Sequence, residues 1–306
     1  VLAILITVVV FYAGKQPGGS VVESGQGGPG LHIEGAVEIA TDAYIYGYPL
    51  VTFDMVRKQQ TNVTVADAEH APMGQLIKMR SYPAVDNHCC AAPNADTLYT
   101  EVWLDVTEEP WLFSIPDMGD RYYIMPILDG WSEVIDVASS RVNGGHPQTY
   151  AITGPGWTGT LPEGVKQVKS PTGLVWILGR IYSTGKPQDY AAVHALQDRY
   201  SVVPLSAWGD TYTPPQGVVD SSIDMKTGVR KQVNGLDIYT YFQPLSELMK
   251  TNPPMVHDTA IVERMARIGL VPGKDFDPSK LGSFDREAIK AVPKIALVKM
   301  GLLLKE

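Results

Sequence analysis

The sequence has little cysteine: the only two are neighbours, Cys89 and Cys90. Consecutive Cα atoms lie about 3.8 Å apart, below the usual range of about 4.4 to 6.8 Å for a disulfide. We therefore predict that both are reduced and buried. With His88 they also lack the C-x₂₋₄-C spacing of a zinc site, so no metal site is predicted. A cysteine nucleophile would require a distant histidine, and neither cysteine follows an evident helix start that would lower its pKa.

A concentrated stripe of lysine and arginine is also missing, and the formal net charge is −8. Binding to nucleic acid needs such a stripe, so nucleic acid is not a predicted partner. The sequence further lacks a G-x-S-x-G elbow, a Walker A pattern, a dinucleotide-binding fingerprint and an EF-hand loop. The common serine hydrolase and nucleotide-binding classes therefore lose support, and the cofactor stays unknown.

The apolar run at the start, VLAILITVVVFYA, is too short to span a bilayer, which takes about 20 residues. Residues 1–13 fit the apolar part of a signal peptide or the end of a longer transmembrane helix. A Gly-rich linker occupies residues 14–34. We interpret this arrangement as a membrane anchor or export signal, which predicts a periplasmic or extracellular location. The alternative is a helix that docks on the folded domain.

Helical periodicity is clear in only part of the chain. A first helix is predicted from Ala36 to Tyr48, where Pro49 ends the pattern, and residues 52–79 are predicted to be rich in loops. A hairpin is predicted near residues 226–228. The other predicted helices cover residues 187–200, 241–251, 258–270 and, with an interruption at Pro293, 284–304.

Between residues 97 and 183, short runs of β-branched and aromatic residues alternate with turn signals. Seven strands are predicted there, without the helical connections that βαβ units need. The predicted fold is mainly β (α+β): an antiparallel β-sandwich with flanking helices. We place this β-rich domain at residues 35–282. A C-terminal helical segment at 283–306, with the apolar Leu302 to Leu304, is expected to lead to a second domain or a partner.

Five residues form the predicted site. Asn94 and Asp96 lie in a turn before a strand, where loops often carry ligand contacts; the structural alternative is turn capping. Arg180 follows an apolar strand, so a carboxylate partner is expected from Asp96, Asp129 or Asp136. The structural interpretation, an ion pair that joins two strands, is favoured over a ligand-binding arginine. Tyr99 and Trp131 are candidates for lining a ligand groove, and the alternative for such aromatic residues is the core.

The order of the motifs closely resembles a bacterial family known as domain of unknown function 1254. The resemblance covers roughly residues 36–200. It rests on five stretches: AYIYGYPLV, PNADTLYTEVWLDV, EPWLFSIPDMGDRYYIMPILDGW, TYAITGPGWTGTLPEGV and SPTGLVWILGRIYS. It implies a β-sandwich-like domain with flanking helices, commonly exported or membrane-anchored and usually followed by domain of unknown function 1214. Asn94, Asp96 and Tyr99 belong to the family pattern, whereas His88, Cys89 and Cys90 do not.

Three functions stay open from sequence alone. The first is a ligand-binding or assembly module on the outer face of a membrane, with Asn94, Asp96, Tyr99, Trp131 and Arg180 as its site. The second is a hydrolase or lyase that uses Asp96 as acid or base near Arg180. The third is an accessory subunit of a larger membrane complex or a homo-oligomer, which would show an apolar interface.

Overall fold

Two β-sheets and a layer of helices form the part of the chain that the computed structural model describes, residues 35–83 and 94–301. The strands are β1 Ile77–Lys78, β2 Thr97–Asp105, β3 Trp111–Ile115, β4 Tyr123–Asp129, β5 Val134–Ser139, β6 Gln148–Thr153, β7 Lys166–Lys169, β8 Leu174–Tyr182 and β9 Ser201–Pro204. The helices are α1 Ala36–Thr61, α2 Ser140–Asn143, α3 Pro187–Gln197, α4 Val229–Asn234, α5 Ile238–Thr251, α6 Thr259–Arg267, α7 Ser283–Ala288 and α8 Val292–Lys299.

The strands form one five-stranded sheet, in the order β1-β2-β8-β4-β5, and one four-stranded sheet, in the order β7-β6-β3-β9. Every pairing is antiparallel except β6 with β7. The inward side chains of both sheets form one apolar core that includes Val102, Phe113, Ile127, Tyr150 and Ile177. The α+β sandwich with flanking helices is therefore confirmed, as are all seven strands predicted between residues 97 and 183.

Close packing inside the sandwich explains the glycine at position 179 on β8. A Cβ atom there would clash with the Sδ atom of Met125 and with the carbonyl oxygen of Thr100. Glycine lets the neighbouring strand and the methionine approach at this point. Its successor, Arg180, points to the opposite face of the sheet, because side chains alternate along a strand.

A second apolar core lies in the helical layer. The first half of α1 packs there against α5, α6 and α8, with Tyr44 stacked on Tyr241 at 3.9 Å between ring centroids. Two of the buried residues of α8, Val292 and Ala296, belong to this core. The described part of the C-terminal segment therefore contributes to the same helical layer as α1.

The second half of α1 corrects the sequence analysis. The helix does not stop at Tyr48 but continues through Pro49 to Thr61. Proline removes one backbone hydrogen bond, but the turns on both sides of it are held by burial of Gly47 against Leu245 and of Phe53 against the sheet. The segment predicted to be rich in loops is thus helical over its first ten residues.

The region before α4 also differs from the prediction. No hairpin forms near residues 226–228; the chain there makes turns and enters α4 at Val229. The Asp224 carboxylate accepts the backbone N–H groups of Lys226 and Thr227, which satisfies the backbone locally instead of through a strand partner. Strand β9 was not predicted, because four residues are too few for a period of two to be recognised.

Several predictions fall outside the described residues: the anchor and linker at 1–34, His88 with Cys89 and Cys90, and Leu302 to Leu304. Within residues 35–83 and 94–301, no helix has both the length and the apolar character needed to cross a membrane.

Candidate ligand-binding site

The outer face of the five-stranded sheet, which points away from the sandwich core, carries the candidate site. Across β2, β8 and β4 its side chains fall into rows given by the strand register. The rows, taken from one end of the sheet, are Thr97–Tyr182–Tyr122, then Tyr99–Arg180–Ile124, then Glu101–Leu178, then Trp103–Trp176–Leu128.

Helix α1 covers one end of this face. Trp103 and Trp176 stack with ring centroids 4.6 Å apart, and Phe53 of α1 meets both rings edge-on. This cluster is fully buried. Gln60, in the last turn of α1, accepts a hydrogen bond from the Trp103 indole at 2.7 Å. The first two rows lie beyond the end of α1, and we call the six residues of those rows the Arg180 face.

Glu101 lies at the border between the covered end and the Arg180 face, and its side chain is completely buried. The Gln60 amide donates to its Oε2 atom at 3.5 Å, whereas its Oε1 atom has no hydrogen-bond partner. The indole N–H of Trp176, also without a partner, faces the same carboxyl group. Burial raises the pKa of Glu101 from 4.5 to about 8, although Gln60, Trp176 and Arg180 oppose the shift. We therefore expect the protonated form of this carboxyl group to predominate at neutral pH.

Arg180 is the only cation on the Arg180 face, and it is half-buried. Its guanidinium lies over the Tyr99 ring, 5.3 Å from the centroid, which is a cation–π contact. Its Nε atom is buried without a hydrogen-bond partner. No carboxylate in the described part of the chain forms an ion pair with it. A charge in this position normally has a partner, because an unpaired buried charge costs on the order of several kcal/mol.

The three aspartates expected to pair with Arg180 are engaged or placed elsewhere. Asp136 pairs with Lys166 at 2.9 Å. Asp129 is buried at the far end of β4, where its Oδ1 atom accepts the backbone N–H groups of Trp131 and Glu133. Asp96 is exposed in the turn before β2, and its backbone carbonyl accepts the N–H group of Ser183. The expected ion pair is thus not formed within the described residues.

Asn94 supports the Arg180 face from the turn. Its side-chain amide donates to the Thr97 hydroxyl at 2.6 Å and to the Tyr99 hydroxyl at 3.2 Å. Its Oδ1 atom accepts the backbone N–H of Asp96 at 2.8 Å, which is the capping geometry expected for this turn. Asn94 therefore fixes both the entry into β2 and the position of the Tyr99 ring on which Arg180 rests.

Trp131 does not join the other predicted site residues. It follows the end of β4, seven residues along the chain from Ile124, the β4 neighbour of Arg180. At about 3.3 Å per residue, Trp131 lies on the order of 20 Å along the strand from Ile124, and therefore far from Arg180 beside it. Its ring packs on Tyr46 at 4.8 Å between centroids, and its indole donates to the Pro253 carbonyl. The structure therefore brings together Asn94, Tyr99 and Arg180, but not Trp131.

Glu101 was missed by sequence reasoning, although a signal was present. Tyr99, Glu101 and Trp103 alternate with apolar residues in TLYTEVW, so a period of two places the glutamate on one face with two aromatic residues. A carboxylate that lies between two aromatic side chains is either solvated or buried with an altered pKa. Only the position of α1, which closes over this end of the face, decides between the two.

A separate open groove of about 310 Å³ lies at the end of α1. Its lining includes Arg57, Thr61, Met73 and Gln216. The Arg57 guanidinium already has a partner, because its Nη2 atom lies 2.6 Å from Asp54, a carboxylate that also pairs with Lys58 at 2.8 Å. Arg57 is therefore engaged with a carboxylate of the protein, in contrast to Arg180. Within the same described ranges, no group of three or more His, Cys, Asp or Glu residues could hold a metal ion.

Comparison with known proteins agrees with the family suggested by the motifs. Residues 73–204 match the model of the family described as "Protein of unknown function (DUF1254)". That match supports the DUF1254 family. It covers β1 to β9, and so both sheets and the Arg180 face. A following DUF1214 domain stays a prediction, and no curated protein matches the sequence.

The fold has a counterpart among solved structures. The crystal structure of the VPA0106 protein from Vibrio parahaemolyticus is similar, with a TM-score of 0.62 and 23% sequence identity over 87% of this chain. The match spans 58% of the length of that protein. An uncharacterised protein from Burkholderia cenocepacia matches 42% of this chain at 15% identity, with 36% of its own length covered and a TM-score of 0.27. At this identity the Vibrio protein supports the fold of this chain, and no role is taken from it.

Proposed function

We propose that this DUF1254 chain is a ligand-binding module that holds a small organic anion on the Arg180 face. The observation that carries the proposal is the Arg180 guanidinium, which is half-buried, stacked on Tyr99 and free of any carboxylate partner among the described residues. An anionic group of a ligand would supply the missing partner. Arginine suits this role because its planar fork matches carboxylate and phosphate oxygens.

The charge balance of the site favours an anion over a cation or a neutral molecule. With Glu101 protonated, the Arg180 face and its border carry one positive charge. Asp96, the acidic residue of the predicted site, is exposed in the turn, where water screens its charge. A cationic ligand would be repelled by the positive charge of the guanidinium.

The rest of the face favours a ligand with a flat apolar part. Tyr182, next to Arg180 along β8, is 43% exposed, and Tyr122, across from it before β4, is 40% exposed. Ile124 lies beside Arg180 on β4. Two exposed aromatic rings and an aliphatic side chain around one cation form an arrangement that can hold a ring by its faces while the cation holds the charge.

The alternative of a hydrolase or lyase using Asp96 has less support. No hydrogen bond or ion pair joins the side chains of Asp96 and Arg180 in the described ranges, and Asp96 is exposed rather than enclosed. An acid or base in catalysis benefits from an enclosed site that excludes water, and an exposed turn does not provide one. Anchoring through residues 1–13, an outward location and a role in a larger membrane complex are proposals that rest on the sequence.

Replacing Arg180 tests the proposed function. Arg180→Met keeps the length and apolar stem of the side chain but removes the charge and the donors. Because hydrogen bonds to charged groups contribute about 1.5–3 kcal/mol, we expect affinity for benzoate to fall by about tenfold or more. Isothermal titration calorimetry with benzoate, phenyl phosphate and neutral benzamide measures the loss and shows which anion is preferred.

The matched control is Arg199→Met, because Arg199 is an exposed arginine before β9 in the other sheet. This variant should bind benzoate as the wild type does. Thermal unfolding should show that Arg180→Met is as stable as the wild type or more so, since it removes a charge without a partner. Benzoate affinity that is equal in the wild type and Arg180→Met, or a strong destabilisation of that variant, would count against a binding role.

A further inference from the structure

Glu101 and Arg180 are diagonal neighbours on the outer face of the sheet. Glu101 lies opposite Leu178 in the register of β2 and β8, and Arg180 follows two residues later on the same face. Diagonal neighbours are about 7–8 Å apart at the Cα atoms, which is within reach of long side chains. Each nevertheless has a buried atom without a partner, Oε1 of Glu101 and Nε of Arg180, and no ion pair joins them.

Among the side chains that the structure describes around Glu101, Arg180 is the one that carries a charge. Gln60 from α1 and Trp176 from β8 are neutral hydrogen-bonding groups. Ile77 of β1 lies opposite Glu101 in the register and is apolar, and Lys78 belongs to the next pair and binds Asp198 instead. On β2 the neighbours on the same face are Tyr99 and Trp103. Within the described residues, the only charged side chain that faces Glu101 is therefore Arg180.

We infer that Glu101 determines the charge of the ligand that the Arg180 face accepts. In its protonated form it leaves the positive charge of Arg180 available to a ligand anion. In its ionised form it acts as an internal counter-ion of Arg180 and competes with the ligand for the guanidinium. This inference rests on the proposed function, because it concerns the affinity of the same face for an anion.

The sign of the pH effect follows from linkage. Burial raises the pKa of Glu101 to about 8, and the positive charge of Arg180 lowers it in part. An anion bound to Arg180 cancels that charge, so it raises the pKa of Glu101 further in the complex. Binding and protonation of Glu101 therefore support each other, and affinity for the anion is lost as pH rises through about 8.

The experiment is a benzoate titration of the wild type and of Glu101→Gln between pH 6 and pH 9. Above about pH 8 the wild-type affinity should fall, with a limiting slope of about tenfold per pH unit for one coupled proton. Glu101→Gln mimics the protonated carboxyl group, so its affinity should stay constant over the same range. Asp129→Asn, which changes another buried carboxyl group at the far end of β4, should keep the wild-type profile.

Infrared spectroscopy gives a check that does not depend on binding. The wild type at pH 7 should show the carbonyl band of a protonated carboxyl group, and Glu101→Gln should lack it. A wild-type affinity that is independent of pH, an equal decline in Glu101→Gln, or absence of the band overturns the inference while the anion site stands. Failure of benzoate to bind to either protein at any pH overturns both the proposed function and the inference.

Discussion

Replacing Glu101 by glutamine is expected to remove a large pH dependence of folding stability. The pKa of this carboxyl group rises from 4.5 in the unfolded chain to about 8 in the folded protein because of burial. The folded state therefore holds a proton that the unfolded state has lost between these two values. The contribution of Glu101 to the free energy of unfolding is fully present below about pH 4.5. It decreases by about 1.4 kcal/mol per pH unit as pH rises towards 8. Glu101→Gln should lack this decrease.

The measurement is the free energy of unfolding by urea at pH values from 5 to 8.5. The difference between the wild type and Glu101→Gln isolates the contribution of this group, because other titrations are common to both proteins. Asp129→Asn is the matched control: burial raises the pKa of Asp129 from 3.8 to about 6, so its effect should end near pH 6. A constant difference between the wild type and Glu101→Gln across the range would show that Glu101 is not buried as a protonated acid.

Trp176→Ala is expected to cause the second large effect. The Trp176 ring is 1% exposed and contacts both the Trp103 ring and Phe53 of α1. Truncation of a buried aromatic side chain to alanine costs about 3–5 kcal/mol, because both the transfer energy and the packing around the cavity are lost. The loss should appear as a lower urea midpoint with an unchanged slope.

Trp131→Ala provides the comparison for this prediction. Trp131 is also a tryptophan next to the sheet, but it is half-buried and contacts Tyr46 at the edge of the helical layer. We expect a clearly smaller loss of stability than for Trp176→Ala. If Trp176→Ala does not fold, Trp176→Phe and Trp131→Phe replace the alanine variants. The loss of stability should again be larger at position 176, although both losses should be smaller. Equal effects at both positions would argue against the Trp103–Trp176 stack as the contact that fixes α1 on the sheet.

The sheets were predictable from sequence because their signals are local. Runs such as WLFSI and LVWILGRIY combine β-branched and aromatic residues with turn residues on both sides, and the structure places β3 and β8 there. The second half of α1 was not predictable in the same way. Its buried side includes the polar residues Asp54 and Gln60, which interrupt the apolar stripe, and Pro49 adds a signal for a helix end.

The site was predictable only in part, for a related reason. Arg180 was recognised because an arginine inside an apolar strand is unusual, and Tyr99 is its direct partner across the strands. The expectation of an aspartate partner followed from the cost of an unpaired charge, which holds for a structural arginine. Whether a partner is present depends on which residues the register brings together. Here it brings Tyr99 and Ile124 to Arg180, and neither carries a charge.

The burial of Glu101 was likewise not predictable from sequence. Its place in an alternating strand predicts the face on which it lies, but not whether that face is covered. Whether this face is covered depends on tertiary packing. The last turn of α1 covers it, and Gln60 there contacts both Glu101 and Trp103. Trp131 was included in the predicted site because it follows a turn, and the length of β4 separates it from Arg180.

The most direct test of the anion site is a crystal structure with bound 4-bromobenzoate, in which anomalous scattering locates the bromine atom. The account predicts a carboxylate at the Arg180 guanidinium, with the ring against Tyr99, Tyr122 or Tyr182, and an absence of this signal in Arg180→Met crystals. A structure in which Arg180 pairs with a carboxylate of the protein itself, and the probe does not occupy this face, would contradict it.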